Sequence, residues 1–205
     1  GSEFYDGQIE CKFTDPPREN LLFAARSDFL AAALKRWRAK LAHLEIEVLD
    51  LAATLRRPVH DTPAQRHTVS DILNKVHLES LDNAKIGKIL VDLNVKFKGT
   101  GSLKRLQALL VSVGDASQID SLMFPFYSLY DFRVACSHLR SADGAAAKMK
   151  TVTDRLGLAE DSGLLEIYDR LLATMTQSYN ALTEIVDVGE FLRPNGQDAQ
   201  SDSGA

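Results

Sequence analysis

The sequence predicts an all-α protein, a helical bundle of five to seven helices, and three observations predict it. Apolar residues recur at three- and four-residue spacing through most of the chain, the period of an amphipathic helix. The segments between these stretches are short and built largely of Pro, Gly, Asp and Ser. Only one stretch alternates as a strand would, and no self-similarity occurs at solenoid periods. Short connections predict antiparallel neighbours.

Gly1-Ser2-Glu3-Phe4 reads as a cloning scar and is set aside. Residues 5–17 are expected to be a short N-terminal segment from an upstream region. Tyr5, Ile9, Cys11 and Phe13 alternate loosely, as one short strand would, before Asp15-Pro16-Pro17 breaks the chain. Residues 18–193 are expected to form the helical domain. Ser27 suits an N-cap for one long helix through Arg57, with a stripe of Leu30, Leu34, Trp37, Leu41, Leu44, Val48, Leu51 and Leu55. Pro58 and Pro63 bound a loop with His60, Asp61 and His67. A second helical group, in two pieces, runs from about Thr68 to Phe97, burying Ile72, Leu73, Val76, Leu81, Ile86, Ile89, Leu90 and Leu93.

Lys98-Gly99-Thr100-Gly101 reads as a loop, with Ser102 capping a helix to about Val113. Gly114-Asp115 is the next break. Pro125 suits the first turn of a helix running to about Ser141. An Ala- and Lys-containing helix follows Gly144 and stops near Gly157. The last helix starts near Asp161 or Ser162 and reaches about Phe191, on a stripe of Leu164/Leu165, Tyr168, Leu172, Met175, Tyr179, Leu182 and Ile185/Val186. The tail 194–205 is polar and small-residue-rich, and is expected to be disordered.

Bulk composition narrows function. The chain has 205 residues and a net charge of −4, which gives no global attraction to nucleic acid or to an anionic membrane. Any nucleic-acid contact must use a local patch or a composite site in a dimer. No apolar run approaches the roughly 18–20 residues that span a bilayer, and no signal-peptide pattern opens the chain. Two cysteines, Cys11 and Cys136, make neither a disulfide framework nor a metal cluster. A reducing, cytoplasmic address is expected, with Cys136 a buried free thiol.

The chemically suggestive segment is Leu129-Tyr130-Asp131-Phe132-Arg133-Val134-Ala135-Cys136-Ser137-His138-Leu139. Leu129, Phe132, Cys136 and Leu139 mark a buried face, and Arg133 lies off it with Tyr130 and Ser137. Arg133 and His138 are five apart, so on an ideal helix they diverge by about 140°. A helix end between them, or a second copy across a dimer axis, would bring them together. By the same geometry Tyr130, Asp131 and Ser137 could orient Arg133 or His138.

An Arg and a His separated by four to six residues, late in a helix of an all-α bundle, resembles the motif of the HEPN-domain family. Here the pair is Arg133-VACS-His138, framed by "LYDFR" and "SHL". The resemblance implies a metal-independent endoribonuclease whose site forms when two protomers share a cleft. It implies that His138 handles the proton of the 2′-hydroxyl or the leaving group, and that Arg133 holds the scissile phosphate. A homodimer, an RNA substrate, an upstream domain on the same polypeptide and a defence or toxin setting are implied with it; no cofactor is. Many active members carry a polar residue directly after the Arg, where this chain has Val134. A non-catalytic HEPN-like module for dimerisation or nucleotide or RNA binding is the alternative, and an unrelated helical interaction domain a third.

Other clusters read as ordinary structure or as RNA contacts. His60, His67 and His77 lack helical metal-ligand spacing and read as loop or surface histidines. Trp37 reads as a core residue among solvated Lys35, Arg36, Arg38 and Lys40. Lys96 to Ser102 (KFKGTGS) lacks the full phosphate-loop pattern of an NTPase, although its glycines precede a helix start. Lys96, Lys98, Lys104, Arg105 and Arg140 remain as candidate RNA-binding cations.

Overall fold

Capping chemistry carried in the sequence sets several of the helix boundaries. A computed structural model of the chain describes residues 16–43, 45–137 and 142–187. Among them are eight α-helices: α1 (Arg18–Trp37), α2 (Glu45–Thr54), α3 (Pro63–Asn74), α4 (Asn83–Asp92), α5 (Ser102–Val111), α6 (Ala116–Ala135), α7 (Ala142–Leu156) and α8 (Leu164–Asp187). Thr62, Asp82 and Asp115 cap α3, α4 and α6, each side chain accepting from a backbone N–H three residues on. Gly157, at φ +65, lets the chain turn out of α7. The described residues contain no strand, only an isolated antiparallel bridge between Ala42 and Leu81. The 5–13 alternation, the scar and the 194–205 tail lie outside the described residues.

The count exceeds five to seven because the expected long first helix is two. It starts at Arg18, not after Ser27, and stops where Arg38 takes a left-handed φ of 52°. The bridge explains the break: the His43 amide donates to Ser80 O and the Asp82 amide to Leu41 O, tying this corner to the start of α4. The stripe is also rephased. Leu22, Ala25, Phe29, Ala32, Ala33 and Trp37 are buried, whereas Leu34 is 42% exposed. Leu22 and Phe29 stand seven apart, two turns on one face, and the alanines there let a neighbouring helix approach closely. Arg36 is buried beside Trp37 rather than solvated.

That neighbour is α8, whose buried row Leu164, Ile167, Tyr168, Leu171, Leu172, Met175, Tyr179, Leu182 and Val186 is the centre of the core. The two helices run parallel. Arg18 pairs with Asp169 at 3.3 Å near their starts, and Lys35 with Asp187 at 2.7 Å near their ends. Antiparallel packing is forced only on helices joined by short loops, and these two are the first and last among the described residues. The hairpin α6–α7 does turn back on itself, as Asp131 reaches both Lys148 and Arg155.

Three further boundaries differ from the sequence reading. The second group is in two pieces as expected, α3 and α4, with a π-turn between them over Lys75–Glu79, but α3 starts at Pro63 instead of Thr68, so His67 lies on it rather than in a loop. Ser102 is the first residue of α5, behind Gly101 as cap. Pro125 sits inside α6, not at its start. Its ring removes one helical hydrogen bond and costs about 3 kcal/mol. The fully buried Met123, Phe126, Leu129 and Phe132 flank it, and burial of each contributes roughly 1.5–3 kcal/mol, so the helix continues.

The π-turn places three consecutive residues, Val76, His77 and Leu78, in the interior. His77 stacks on Phe23 with ring centroids 5.9 Å apart, and its Nδ1 lies 3.1 Å from the Tyr179 hydroxyl. Its Nε2 has no hydrogen-bond partner. Burial, aided by the nearby Arg26 charge, holds the imidazole well below its ordinary pKa. The folded chain therefore keeps His77 neutral while the unfolded chain takes up a proton below about pH 6.5, so this contribution is full above that pH and is lost as pH falls. Urea unfolding is expected to show lower stability at pH 5 than at pH 7 from this residue. His77→Phe should remove most of that difference; an unchanged pH dependence would refute the assignment.

Candidate functional site

The far end of α6 gathers residues from three helices. α6 ends at Ala135, with Cys136 as cap and its amide donating to Phe132 O. Ser137 follows outside the helix, its hydroxyl donating to Val134 O at 3.1 Å. Arg133 occupies the last turn of α6, with its side chain 38% exposed. One terminal nitrogen lies 3.8 Å from Asp71 Oδ1 on α3, while Lys75 holds the other oxygen of Asp71 at 2.7 Å. Arg133 Nε is buried and has no hydrogen-bond partner.

Beside it, α3 contributes a second arginine. Arg66 grips Asp61 through two nitrogens, and the same carboxylate accepts the Leu164 amide at 2.8 Å. These donors, Arg66 first, hold the Asp61 carboxyl below its ordinary range. This clamp therefore ties the α2–α3 loop to the start of α8. Arg66 also lines a hollow of about 300 Å³ with Pro63, Ala135, Cys136, Ala145 and Met149. Cys136 is free and half-buried, and burial raises its thiol pKa, so it is a poor nucleophile at neutral pH.

Of the residues singled out from the sequence, His138, Leu139 and Arg140 lie outside the described residues. Tyr130 is 53% exposed. Asp131 is buried, and its carboxylate takes Lys148 on one oxygen at 2.5 Å and Arg155 on the other at 2.7 Å. The sequence reading did not foresee these partners. Lys148 and Arg155 are seven apart, two turns on one face of α7, which is the signal that could have found them. Asp71 and Arg66 were missed as neighbours of Arg133 and Cys136 because they come from a distant stretch of chain.

The candidate RNA-binding cations form a separate group. Lys96, Lys98 and Lys104 line a groove over the α4–α5 connection, with Tyr127 of α6 on its wall. Tyr127 and Arg133 are six residues apart on α6 and so point about 120° apart around its axis. Arg105 turns away to donate to Asn83 O at 2.8 Å. His77 lies in the core, and among the described residues no group of three or more His, Cys, Asp or Glu side chains could hold a metal. No helix among them is long and apolar enough to cross a membrane. No family model, no curated protein and no solved structure matches the chain.

Asp131 joins α6 to α7 through two charged hydrogen bonds, and its partners are about two-fifths exposed, which tempers the gain. Asp131→Asn is expected to cost about 1–3 kcal/mol in denaturant unfolding. Lys148→Met together with Arg155→Met should cost more than Asp131→Asn, because it strands the buried Asp131 carboxylate whereas the Asn variant leaves two cations in reach of water; an equal or smaller cost in denaturant unfolding would refute this.

Proposed function

We propose that this HEPN-like helical domain is a metal-independent endoribonuclease, the RNA-cleaving part of a larger defence- or toxin-type protein. The setting comes from the family resemblance; the chemistry is supported by one observation. Arg133 stands in the last turn of α6 with an unpartnered Nε and a loose contact to Asp71, and the helix ends two residues later. The ideal helix that would impose a 140° divergence thus stops at Ala135, short of position 138. A 3.8 Å ion pair is long beside the 2.5–3.3 Å pairs elsewhere among the described residues, so a phosphate competes with Asp71 on favourable terms.

In this reading the guanidinium of Arg133 neutralises the scissile phosphate through its planar fork. His138 accepts the 2′-hydroxyl proton as that oxygen attacks phosphorus, and a proton returns to the departing 5′-oxygen. The products are a 2′,3′-cyclic phosphate and a 5′-hydroxyl, and DNA is inert because it lacks the attacking group. Two protomers place their motifs on one cleft, so the partner's imidazole can serve as the second proton carrier.

The second reading is a non-catalytic module for dimerisation or for nucleotide or RNA binding. Val134 favours it, since the position after Arg133 offers no polar group.

Cleavage of a mixed RNA pool with EDTA present separates the two. The wild-type chain is expected to cut and leave cyclic-phosphate ends, with Arg133→Ala and His138→Ala each slower by at least about 100-fold. A chain that dimerises yet leaves the pool intact would sink the catalytic reading and leave the second.

A further inference from the structure

Away from the end of α6, the groove over the α4–α5 connection concentrates positive charge that the fold does not use. It encloses about 540 Å³, within the range of small-ligand sites, and Lys96, Lys98 and Lys104 stand around it. Lys35, Lys75, Lys85, Lys148 and Lys150 each hold a carboxylate. Lys96, Lys98 and Lys104 hold none among the described residues. In a chain of net charge −4, three adjacent uncompensated ammonium groups are a local reversal of sign.

The backbone holds these charges together. Gly99 has φ +124, and a Cβ there would stand 2.9 Å from Lys104 Cδ. The loop thus crosses directly over the Lys104 stem and keeps Lys98 beside it, a close approach that glycine permits. Like charges drawn together this way repel one another, and an anion between them turns that cost into attraction.

The rest of the groove is apolar and ordered. Phe97 and Tyr127 supply ring surface. Arg105 lies over the Phe97 ring, 5.6 Å from its centroid, and fixes it. The Tyr127 hydroxyl donates to Gln107 Oε1, and Gln107 Nε2 donates to Asp120 at 2.6 Å, so the ring and the amide are held in place. Cations beside fixed aromatic rings match a ligand that is flat at one end and phosphorylated at the other.

We propose that this groove binds a nucleoside phosphate, with the base against Phe97 and Tyr127 and the phosphate among Lys96, Lys98 and Lys104. The same chemistry is met by one unit of a single-stranded RNA or by a free nucleotide. The site does not depend on Arg133 or His138 being catalytic, so intact RNA in the cleavage assay leaves it standing.

The test uses the His138→Ala chain, so that a strand stays intact. Fluorescence titration is run with a short labelled single-stranded RNA, with a fluorescent nucleoside diphosphate, and with labelled poly-glutamate as a charge-only probe. RNA binding with the diphosphate silent assigns the strand as ligand; diphosphate binding that competes with RNA assigns a free nucleotide as a ligand. In either case Lys96→Ala/Lys98→Ala/Lys104→Ala should weaken binding at least about tenfold, and for RNA should lower the salt slope by about two. Phe97→Leu, which keeps the apolar bulk, should weaken nucleotide or RNA binding by up to about tenfold and leave poly-glutamate unaffected. Thermal melting checks that each variant is folded, and the Lys98→Ala/Lys104→Ala pair replaces the triple if it is not. Binding of neither nucleic probe, binding indifferent to the lysines, or poly-glutamate binding as tight as RNA would overturn the proposal.

Discussion

Parallel packing of α1 on α8 is the constraint on which the remaining structure depends. α8 presents buried residues on a wide face, and no single antiparallel neighbour covers it. α1 covers one side with Leu22, Phe29 and small alanines. Two tyrosines on α8 then have to satisfy hydroxyls in the interior. Tyr168 donates to Glu19 of α1, and the Tyr179 hydroxyl meets His77 on the π-turn. Phe29 and Phe126 pack on the Tyr179 ring at 5.6 and 5.0 Å, which ties α1 and α6 to the same point. Burial raises the pKa of both phenols, so they act as neutral hydrogen-bonding groups.

The position of α6 follows from that core. Its buried side faces α8 through Phe126, and its other sides meet α3, α5 and α7. Asp131 locks the α7 side, Tyr127 and Gln107 join it to α5, and Asp71 approaches Arg133 from α3. The helix thus carries two separate surfaces. One ends at Arg133 and Cys136; the other looks into the lysine groove. Strong ion pairs cluster where helices must be joined, as at Asp131 and Asp61, while among the described residues Arg133 has a loose partner and the groove lysines hold no carboxylate. Groups the fold leaves underused are the ones available to a ligand.

The sequence made legible those features that depend on neighbours along the chain. Gly157 ends α7 because a positive φ is needed at the break, and Gly114-Asp115 could be read as a break although not as the start of α6. The stripe of α8 was legible nearly residue by residue, since its period is long and unbroken. The lysines around Gly99 could be picked out as a basic loop. The split at Arg38 could not, because the bridge from Ala42 to Leu81 that stabilises it joins residues 39 apart. Nor could the true face of α1, since Leu30 and Leu34 compete with Leu22 and Phe29 and only α8 decides between them.

The sequence by itself therefore determined the helical class, some helix ends such as that of α7 at Gly157, the amphipathic stripe of α8 and the cations worth attention. Local propensity and capping act over one or two turns, and the residues that do this work are adjacent in the chain. Tertiary structure alone decided that α1 and α8 run parallel, that Pro125 stays within a helix, and that Asp131 serves Lys148 and Arg155. It also decided that Arg105 supports Phe97 while Lys98 and Lys104 hold no carboxylate among the described residues. Each of these outcomes is a competition between groups distant in sequence, settled by burial and charge pairing that exist only after the helices have packed.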